Sequence, residues 1–278
     1  MLRRLMMASA PGPGYLDLLP IAPLCVWAIK KLVSTATVAI RVRRSSDNTE
    51  QDIGFSSESL NVSALLAFVG AGSGYVTTIY DQTGGGKNFT QASTAAQPRI
   101  VNAGVFDGEL VFDGSNDIMA TASITFGTRY AALYGRMRLP GGSDPIIVEH
   151  SANFYSTPYT FALYKNGSAS RMTTMQLASQ DSTNQFLLTT GARKGFSFLW
   201  DRQAASAATR MRAWEAGVES GSSIIYDKGP SGTFSNQPLF LGARSGGAYP
   251  GACGIESLVL YRDDTLGIRG MIEGAIGP

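Results

Sequence analysis

GYVTTIYDQTGGGKNFTQ, residues 74–91, is the pattern of a strand, a tight turn and the start of a second strand. Residues 75–80 are mostly β-branched or aromatic, which is typical of a strand. The turn begins at Asp81, and Gly84 and Gly86 bound a run of three glycines that permits positive φ and a sharp reversal. The stretch therefore predicts antiparallel β-structure.

Upstream lies IRVRRSSDNTEQDIGF, residues 40–55, in which three arginines surround a polar segment. The alternation of residues 37–42 predicts a half-buried strand, and residues 45–51 are typical of a turn. We expect the guanidinium groups to form structural ion pairs rather than a ligand site. The arginines are Arg41, Arg43 and Arg44 and the candidate partners are Asp47, Asp52 and Asp81; with Gly84 and Gly86 they make up a structural motif.

Three short helices are predicted. Residues 24–33 carry apolar side chains at helical spacing, with Pro23 near the first turn. Residues 61–69 have the same spacing, with Asn61 or Ser59 as N-cap and a glycine-rich segment as the end. A glycine-interrupted helix is predicted at residues 265–276.

From Arg99 onward, short alternating segments are separated by turn signals, a pattern that favours a closed antiparallel sandwich. Residues 131–139 alternate so that one face should be apolar and the other hydrated. Asn166 and Gly167 predict a hairpin turn. The predicted strands cover residues 109–112, 118–123, 131–139, 146–149, 159–164, 172–177, 186–188, 196–200, 210–215, 240–242 and 255–261.

Several of these strings resemble known families. Three strings resemble, in their order, a module of tailed-bacteriophage virion proteins: RVRRSSDNTEQDIGF, LLAFVG and YVTTIYDQTGGGKNFTQA. YDQTGGGKNFTQ is similar to a segment of the fungal arabinofuranosidase B catalytic domain. Three further elements resemble those of the concanavalin A-like, or laminin G-like, sandwich: FDGSNDIM, the pair FLWD and MRAWEAG, and IESLVLY. The resemblance implies a mainly β protein, with a concanavalin A-like antiparallel β-sandwich (jelly roll), a short N-terminal arm and small helices.

The length and composition agree with one large β-domain that has an N-terminal extension. Only 16% of the 278 residues are charged, and 32 glycines and 12 prolines accompany 44% hydrophobic residues, as expected for many short strands joined by tight turns. We divide the chain into an N-terminal arm (1–14), an α/β module packed on the sandwich (15–98) and the sandwich itself (99–278).

Charge and patterning argue against several functional classes. A formal net charge of +2 without a dense basic run disfavours nucleic-acid binding. The apolar runs near the N-terminus are too short for a secretory signal or a membrane span, so we expect neither secretion nor membrane insertion. Cys25 and Cys253 are expected to be buried free thiols, and His150, the single histidine, is expected at the surface.

No catalytic residue is assigned. A glycosidase needs two carboxylates across a cleft, and no active-site segment of arabinofuranosidase B can be matched here, so a non-enzymatic role is favoured. Calcium is the one cofactor that the sequence suggests, because Asp113, Asn116 and Asp117 offer the oxygen ligands that this ion prefers. A weak ligand-binding group is predicted in two aromatic loops, which would stack on sugar rings or form a subunit interface: Phe154, Tyr155, Tyr159, Arg244 and Tyr249.

The resemblance implies a structural virion protein of a tailed bacteriophage, in a tail fibre, baseplate or capsid decoration, made in the bacterial host cytoplasm. The arm would dock on other virion proteins, the protein would form a homo-oligomer, with a trimer favoured, and the sandwich would adhere to a host-surface glycan. Two alternatives stay open: a glycoside hydrolase or depolymerase that acts on polysaccharide, and a purely architectural protein without a ligand.

Overall fold

The structure is a computed structural model that describes residues 15–142, 144–153, 156–167, 169–177 and 180–277. The N-terminal arm predicted at residues 1–14 lies outside the described residues. The described chain is mostly antiparallel β with a few small helices, which confirms the predicted fold class. Within these residues, no helix combines the length and hydropathy that crossing a membrane requires.

The strands are short and follow one another with few interruptions. Those in the first half are β1 (Cys25–Ala28), β2 (Val38–Arg44), β3 (Glu50–Ser56), β4 (Ser59–Leu60), β5 (Gly74–Ile79), β6 (Phe89–Thr90), β7 (Arg99–Asn102), β8 (Val105–Val111), β9 (Met119–Ala120) and β10 (Tyr130–Arg138). The others are β11 (Ile146–His150), β12 (Thr160–Asn166), β13 (Ala169–Leu177), β14 (Gln180–Phe186), β15 (Arg193–Asp201), β16 (Met211–Glu215), β17 (Val218–Ser220), β18 (Ser222–Tyr226), β19 (Leu239–Leu241) and β20 (Gly254–Tyr261). The α-helices are α1 (Val62–Val69), α2 (Ala207–Arg210) and α3 (Arg269–Ile276).

Two antiparallel layers form the sandwich. The first runs β17–β16–β15–β10–β20, and the far side of β20 pairs with β1 and β8. The second runs β18–β14–β13–β12–β11–β19–β9. Strand β5 connects the layers, because it reaches β8 through β7 and β9 through β6.

The main core lies between the layers. Alternate residues of β15 (Phe196, Phe198 and Trp200) point inward and are almost fully buried, as are Val148 and Phe161 of the opposite layer. Each such side chain contributes about 1.5–3 kcal/mol when it leaves water, so this seam stabilises the sandwich. The core therefore follows from the alternation that the sequence shows after residue 99.

A second apolar layer covers the outer face of β10, and it corrects the prediction that this face is hydrated. Tyr134 is fully buried there, and its hydroxyl lies 2.7 Å from the Thr265 Oγ1 atom. Ile272 and Ile276 of α3 belong to the same buried cluster, together with Leu16. The prediction was wrong because the segments that cover this face come from the two ends of the chain, and the sequence of β10 does not indicate them.

The helix predicted at residues 24–33 is also wrong, because Cys25–Ala28 form strand β1 against β20. All four residues are buried. Cys25 and Trp27 belong to the main core, whereas Val26 and Ala28 belong to the outer cluster. Both faces of β1 are apolar, so its sequence does not show the alternation of apolar and polar residues that identifies a strand. Together with the residues around it, this run has apolar side chains at helical spacing.

Several local predictions are confirmed. Asn61 caps α1 by accepting a hydrogen bond from the Ala64 amide at 3.0 Å, and Gly70 ends the helix at φ 67°. β5 and β6 pair antiparallel across the turn, where Gly84 and Gly86 have φ values of 77° and 72°. The terminal helix and the Asn166–Gly167 hairpin are present as well. The strands that were not predicted are β3, β4, β7, β17 and β18, and the strand expected at 186–188 shares only Phe186 with β14.

The N-terminal and C-terminal segments share one hydrogen-bonded system. β1 adds to β20, and β5 joins β7, so strands before residue 98 extend the layers formed by strands after it. The boundary at residues 98 and 99 stays a prediction. Cys25 and Cys253 are buried free thiols, as expected, and burial raises the pKa of the Cys253 thiol to about 12.

Candidate functional site

The arginines of the structural motif have different partners. Arg41 and Asp52 form an ion pair at 2.7 Å, and Arg44 binds both carboxylate oxygens of Asp47. Hydrogen bonding from Arg44 lowers the pKa of the Asp47 carboxyl. These pairs are exposed, so solvent screens their attraction and each contributes little to stability.

Asp81 has a different role from these ion pairs. Its Oδ1 atom accepts hydrogen bonds from the Val26 amide at 3.1 Å and from the Thr83 hydroxyl at 2.8 Å. The amide of Asp81 donates to the Asn88 side chain at 2.9 Å. Asp81 therefore joins β1 to the glycine turn.

The acidic turn between β8 and β9 uses its carboxylates locally. Asp113 Oδ1 accepts hydrogen bonds from the amides of Ser115 (2.8 Å) and Asn116 (3.3 Å), and Asp117 Oδ2 accepts one from the Asp113 amide at 2.8 Å. Burial raises the pKa of the Asp117 carboxyl to about 6. Among the described residues, no three His, Cys, Asp or Glu side chains are placed to hold a metal, so calcium stays a prediction.

Two of these motifs meet in one cleft, which we call the junction cleft. It has a volume of about 450 Å³ and lies where strands from the two halves of the chain come together. Its lining includes Arg43, Tyr75, Gln97, Arg99, Asp113 and Asp117. The pairing of β2 with β5, of β5 with β7 and of β7 with β8 brings these distant side chains together.

A second cleft, the tyrosine cleft, has a volume of about 190 Å³ and lies beside the β12–β13 hairpin. It contains two residues that the sequence predicted, and the structure adds others. Its polar and aromatic lining consists of Asp144, Tyr164, Asn166, Arg171, Arg244 and Tyr249.

The predicted pair Arg244 and Tyr249 is held rigidly in this cleft. Arg244 Nε donates to Glu149 Oε2 at 3.0 Å, and Glu149 on β11 is fully buried. The guanidinium carbon lies 4.9 Å from the centre of the Tyr249 ring, within the range of a cation–π contact. Tyr249 nevertheless remains 50% exposed and adopts φ 54°. The buried ion pair therefore positions an aromatic ring that faces solvent.

Polar groups surround this ring. The Asn166 side-chain amide donates to Asp144 Oδ1 at 2.8 Å across the mouth of the cleft. Arg171 lies opposite Tyr164 in the β12–β13 ladder, and its Nε atom is buried without a hydrogen-bond partner among the described residues. Sequence reasoning treated Asn166 only as a turn residue and missed Asp144 and Arg171, because their proximity depends on strand pairing.

The other predicted ligand-binding residues lie elsewhere. Tyr159 stands at the opposite end of β12 from Asn166, and the guanidinium of Arg202 lies 5.1 Å from its ring centre. A strand of this length separates its two ends by about 20 Å, so Tyr159 does not join the tyrosine cleft. Phe154 and Tyr155 lie outside the described residues.

His150 is fully buried, which corrects its expected surface position. It ends β11 with its ring in the core, 4.8 Å from the centre of the Phe161 ring and 4.7 Å from that of Phe126. Within the residues that the structure describes, neither ring nitrogen has a hydrogen-bond partner. Burial, with a smaller effect from the Arg202 charge, lowers the pKa of His150 to about 3. Side chains alternate along β11, so Glu149 lies on the face toward Arg244 and His150 lies on the face toward the core.

No protein-family model matches the sequence, and no curated protein matches it. Solved structures share its fold. A mutant GH54 α-L-arabinofuranosidase soaked with 4-nitrophenyl α-L-arabinofuranoside matches with a TM-score of 0.60 and 13% identity, over 92% of this chain and 63% of that chain. An arabinofuranosidase complexed with arabinofuranosyl-α-1,2-xylobiose matches with a TM-score of 0.57 and 14% identity, over 92% of this chain and 62% of that chain.

The chain thus spans less than two thirds of the length of these arabinofuranosidases. At such low identity the likeness concerns the fold alone. It agrees with the β-sandwich that the strand pairings of this chain form.

Proposed function

We propose that the protein is a glycan-binding adhesion component of a tailed-bacteriophage virion, and that its tyrosine cleft contacts the glycan without cleaving it. The observation that carries this proposal is the exposed Tyr249 ring, fixed above Arg244, whose partner Glu149 is fully buried. A ring held in place before binding loses little conformational entropy when a sugar stacks on it. Its φ of 54° is a strained backbone conformation of the kind that accumulates at ligand sites.

The polar lining of the cleft suits sugar hydroxyl groups. The Asp144 carboxylate accepts hydrogen bonds, Asn166 both donates and accepts, and Arg171 has a donor without a partner. A few placed polar groups around an aromatic surface are typical of small-ligand sites. The fold shared with arabinofuranosidases supports a saccharide as the ligand class.

Glycan binding can be tested on a glycan array, followed by calorimetry with the best ligand. Tyr249→Ala should weaken binding about tenfold, because an aromatic contact contributes about 0.5–1.5 kcal/mol beyond its buried area. Tyr226→Ala is the matched control, since Tyr226 is 55% exposed on β18 and Tyr249 is 50% exposed. Equal binding by wild type and Tyr249→Ala would exclude the tyrosine cleft as the site.

The virion role is supported by the ordered strings within residues 40–91 that resemble a phage virion module. In this role the N-terminal arm docks on other virion proteins, and the chain assembles as a homo-oligomer, with a trimer favoured. A reconstruction of the particle by electron microscopy would show the chain on a tail fibre, baseplate or capsid. Its absence from purified particles would contradict the assignment.

Polysaccharide hydrolysis is the second candidate, and one observation favours it. The Asp117 carboxyl, with a pKa raised to about 6, lies beside Asp113 in the junction cleft, and a raised pKa suits a general acid. Hydrolysis predicts that purified protein releases reducing sugar from polysaccharide and that Asp117→Asn abolishes this release. The architectural alternative predicts a silent glycan array together with a tight symmetric assembly.

A further inference from the structure

The junction cleft contains a buried arginine whose partners are all neutral. Arg43 is 7% exposed, and its Nε donates to Gln97 Oε1 at 2.7 Å. Its Nη1 donates to Asn48 Oδ1 at 2.8 Å, and its Nη2 to the Thr94 carbonyl oxygen at 3.3 Å. Arg41 and Arg44, its neighbours in the strand, each have a carboxylate partner. In the part of the chain that the structure describes, Arg43 forms no ion pair.

This arrangement leaves both charge and hydrogen-bonding capacity available. A guanidinium has five N–H groups, so three bonds to neutral acceptors leave two donors. A buried cation without a counter-ion is costly, because it has lost water and gained no opposite charge. Since Arg43 lines an open cleft of about 450 Å³, an anion can reach it from solvent.

The surroundings of Arg43 indicate what kind of anion fits. The guanidinium carbon of Arg43 lies 4.9 Å from the centre of the Tyr75 ring, which also lines the cleft. Arg99, on the same wall, is held to Asp107 at 3.0 Å. The cleft therefore combines an aromatic surface, amide groups and a cation, and this mixture suits a sugar that carries an acidic group.

One segment of the chain contacts the walls of both clefts. Ala252 packs against Gly114, which follows Asp113 in the acidic turn, so closely that a side-chain carbon at position 114 would lie 2.9 Å from the Ala252 Cβ atom. Tyr249, three residues before Ala252, lines the tyrosine cleft.

We propose that the junction cleft is a second ligand site for an acidic sugar, with the two remaining N–H groups of Arg43 donating to the sugar's anionic group and the Tyr75 ring flanking the pyranose. The sugar part of this inference rests on the proposed glycan-binding function, whereas the anionic part depends on the cleft alone. A sugar carboxylate and a phosphate group share the required chemistry, and the experiment below distinguishes them.

Two carboxylates, those of Asp113 and Asp117, line the same cleft, and each accepts hydrogen bonding from backbone amides of the acidic turn.

The test uses the full chain and titrates methyl glucuronide, methyl glucoside and inorganic phosphate by calorimetry at pH 7.5. Ala95→Trp fills the cleft from an exposed position in its lining, and Ala92→Trp is the control at an exposed position outside that lining. We expect wild type to bind glucuronide at least tenfold more tightly than glucoside. Ala95→Trp should weaken this binding at least tenfold, and Ala92→Trp should leave it unchanged.

Equal affinity of wild type and Ala95→Trp for glucuronide would overturn the inference, as would equal affinity of wild type for glucuronide and glucoside. Phosphate binding without glucuronide binding would overturn the acidic-sugar assignment. Tyr249→Ala separates this inference from the proposed function, because it should leave glucuronide binding unchanged while it weakens array glycans. Array binding that depends on Tyr249 but not on position 95 would contradict the junction site and leave the proposed glycan-binding function standing.

Discussion

Replacing His150 with phenylalanine should make the stability of the protein less sensitive to acid. The unfolded chain takes up a proton on this histidine near pH 6.5, whereas the folded protein does so only near pH 3. Between these values the unfolded state holds more protons, so lowering the pH destabilises the folded state. At about 1.4 kcal/mol per pH unit, the loss from pH 7 to pH 4 amounts to roughly 3 kcal/mol.

Urea denaturation at pH 7 and at pH 4 measures this effect. The free energy of unfolding of wild type should fall by roughly 3 kcal/mol more than that of His150→Phe over this interval. The comparison uses the difference between two pH values, so a change in packing caused by the phenylalanine cancels. If the two proteins lost stability in parallel, His150 would not be buried in its neutral form, and the structural assignment would be refuted.

Three further substitutions test other parts of the structure. Glu149→Gln leaves the buried charge of Arg244 without its carboxylate, so urea denaturation should show a loss of about 3–5 kcal/mol; an unchanged midpoint would show that this ion pair is not structural. Gly242→Ala adds a carbon 2.2 Å from Phe112 Cδ1 at a residue with φ 84°. A thermal melt should show that the free energy of unfolding falls by about 1–3 kcal/mol. An unaltered melting temperature would contradict the close packing. Asn61→Ala removes the N-cap of α1, so the free energy of unfolding should fall by about 1 kcal/mol in the same melt. An unchanged stability would show that solvent replaces the cap.

Local features of the sequence were sufficient where the physical cause is itself local. The glycine turn after β5 depends on the conformational freedom of Gly84 and Gly86, and both have positive φ. The start of α1 depends on the Asn61 side chain three residues before Ala64. Alternating strands after residue 99 predicted two packed layers, because a side-chain period of two places every second residue on one face.

The candidate sites depend on contacts between distant residues, and the sequence contained only parts of them. Arg244 and Tyr249 were predicted because their loop carries an exposed aromatic residue of the kind that stacks on sugar rings, but Glu149 supports them from another strand. Arg43 and Asp117 were assigned to separate motifs, and only the pairing of β2, β5, β7 and β8 brings them into one cleft.

By itself, the sequence determined the mainly β fold class, the glycine turn and the cap of α1, because these depend on backbone conformation and side-chain period within a few residues. Only the tertiary structure decided that Cys25–Ala28 form a strand, that His150 is buried and that side chains from separate strands line two clefts. Burial is set by whichever part of the chain covers a face, and the parts that cover these residues are far away in the sequence.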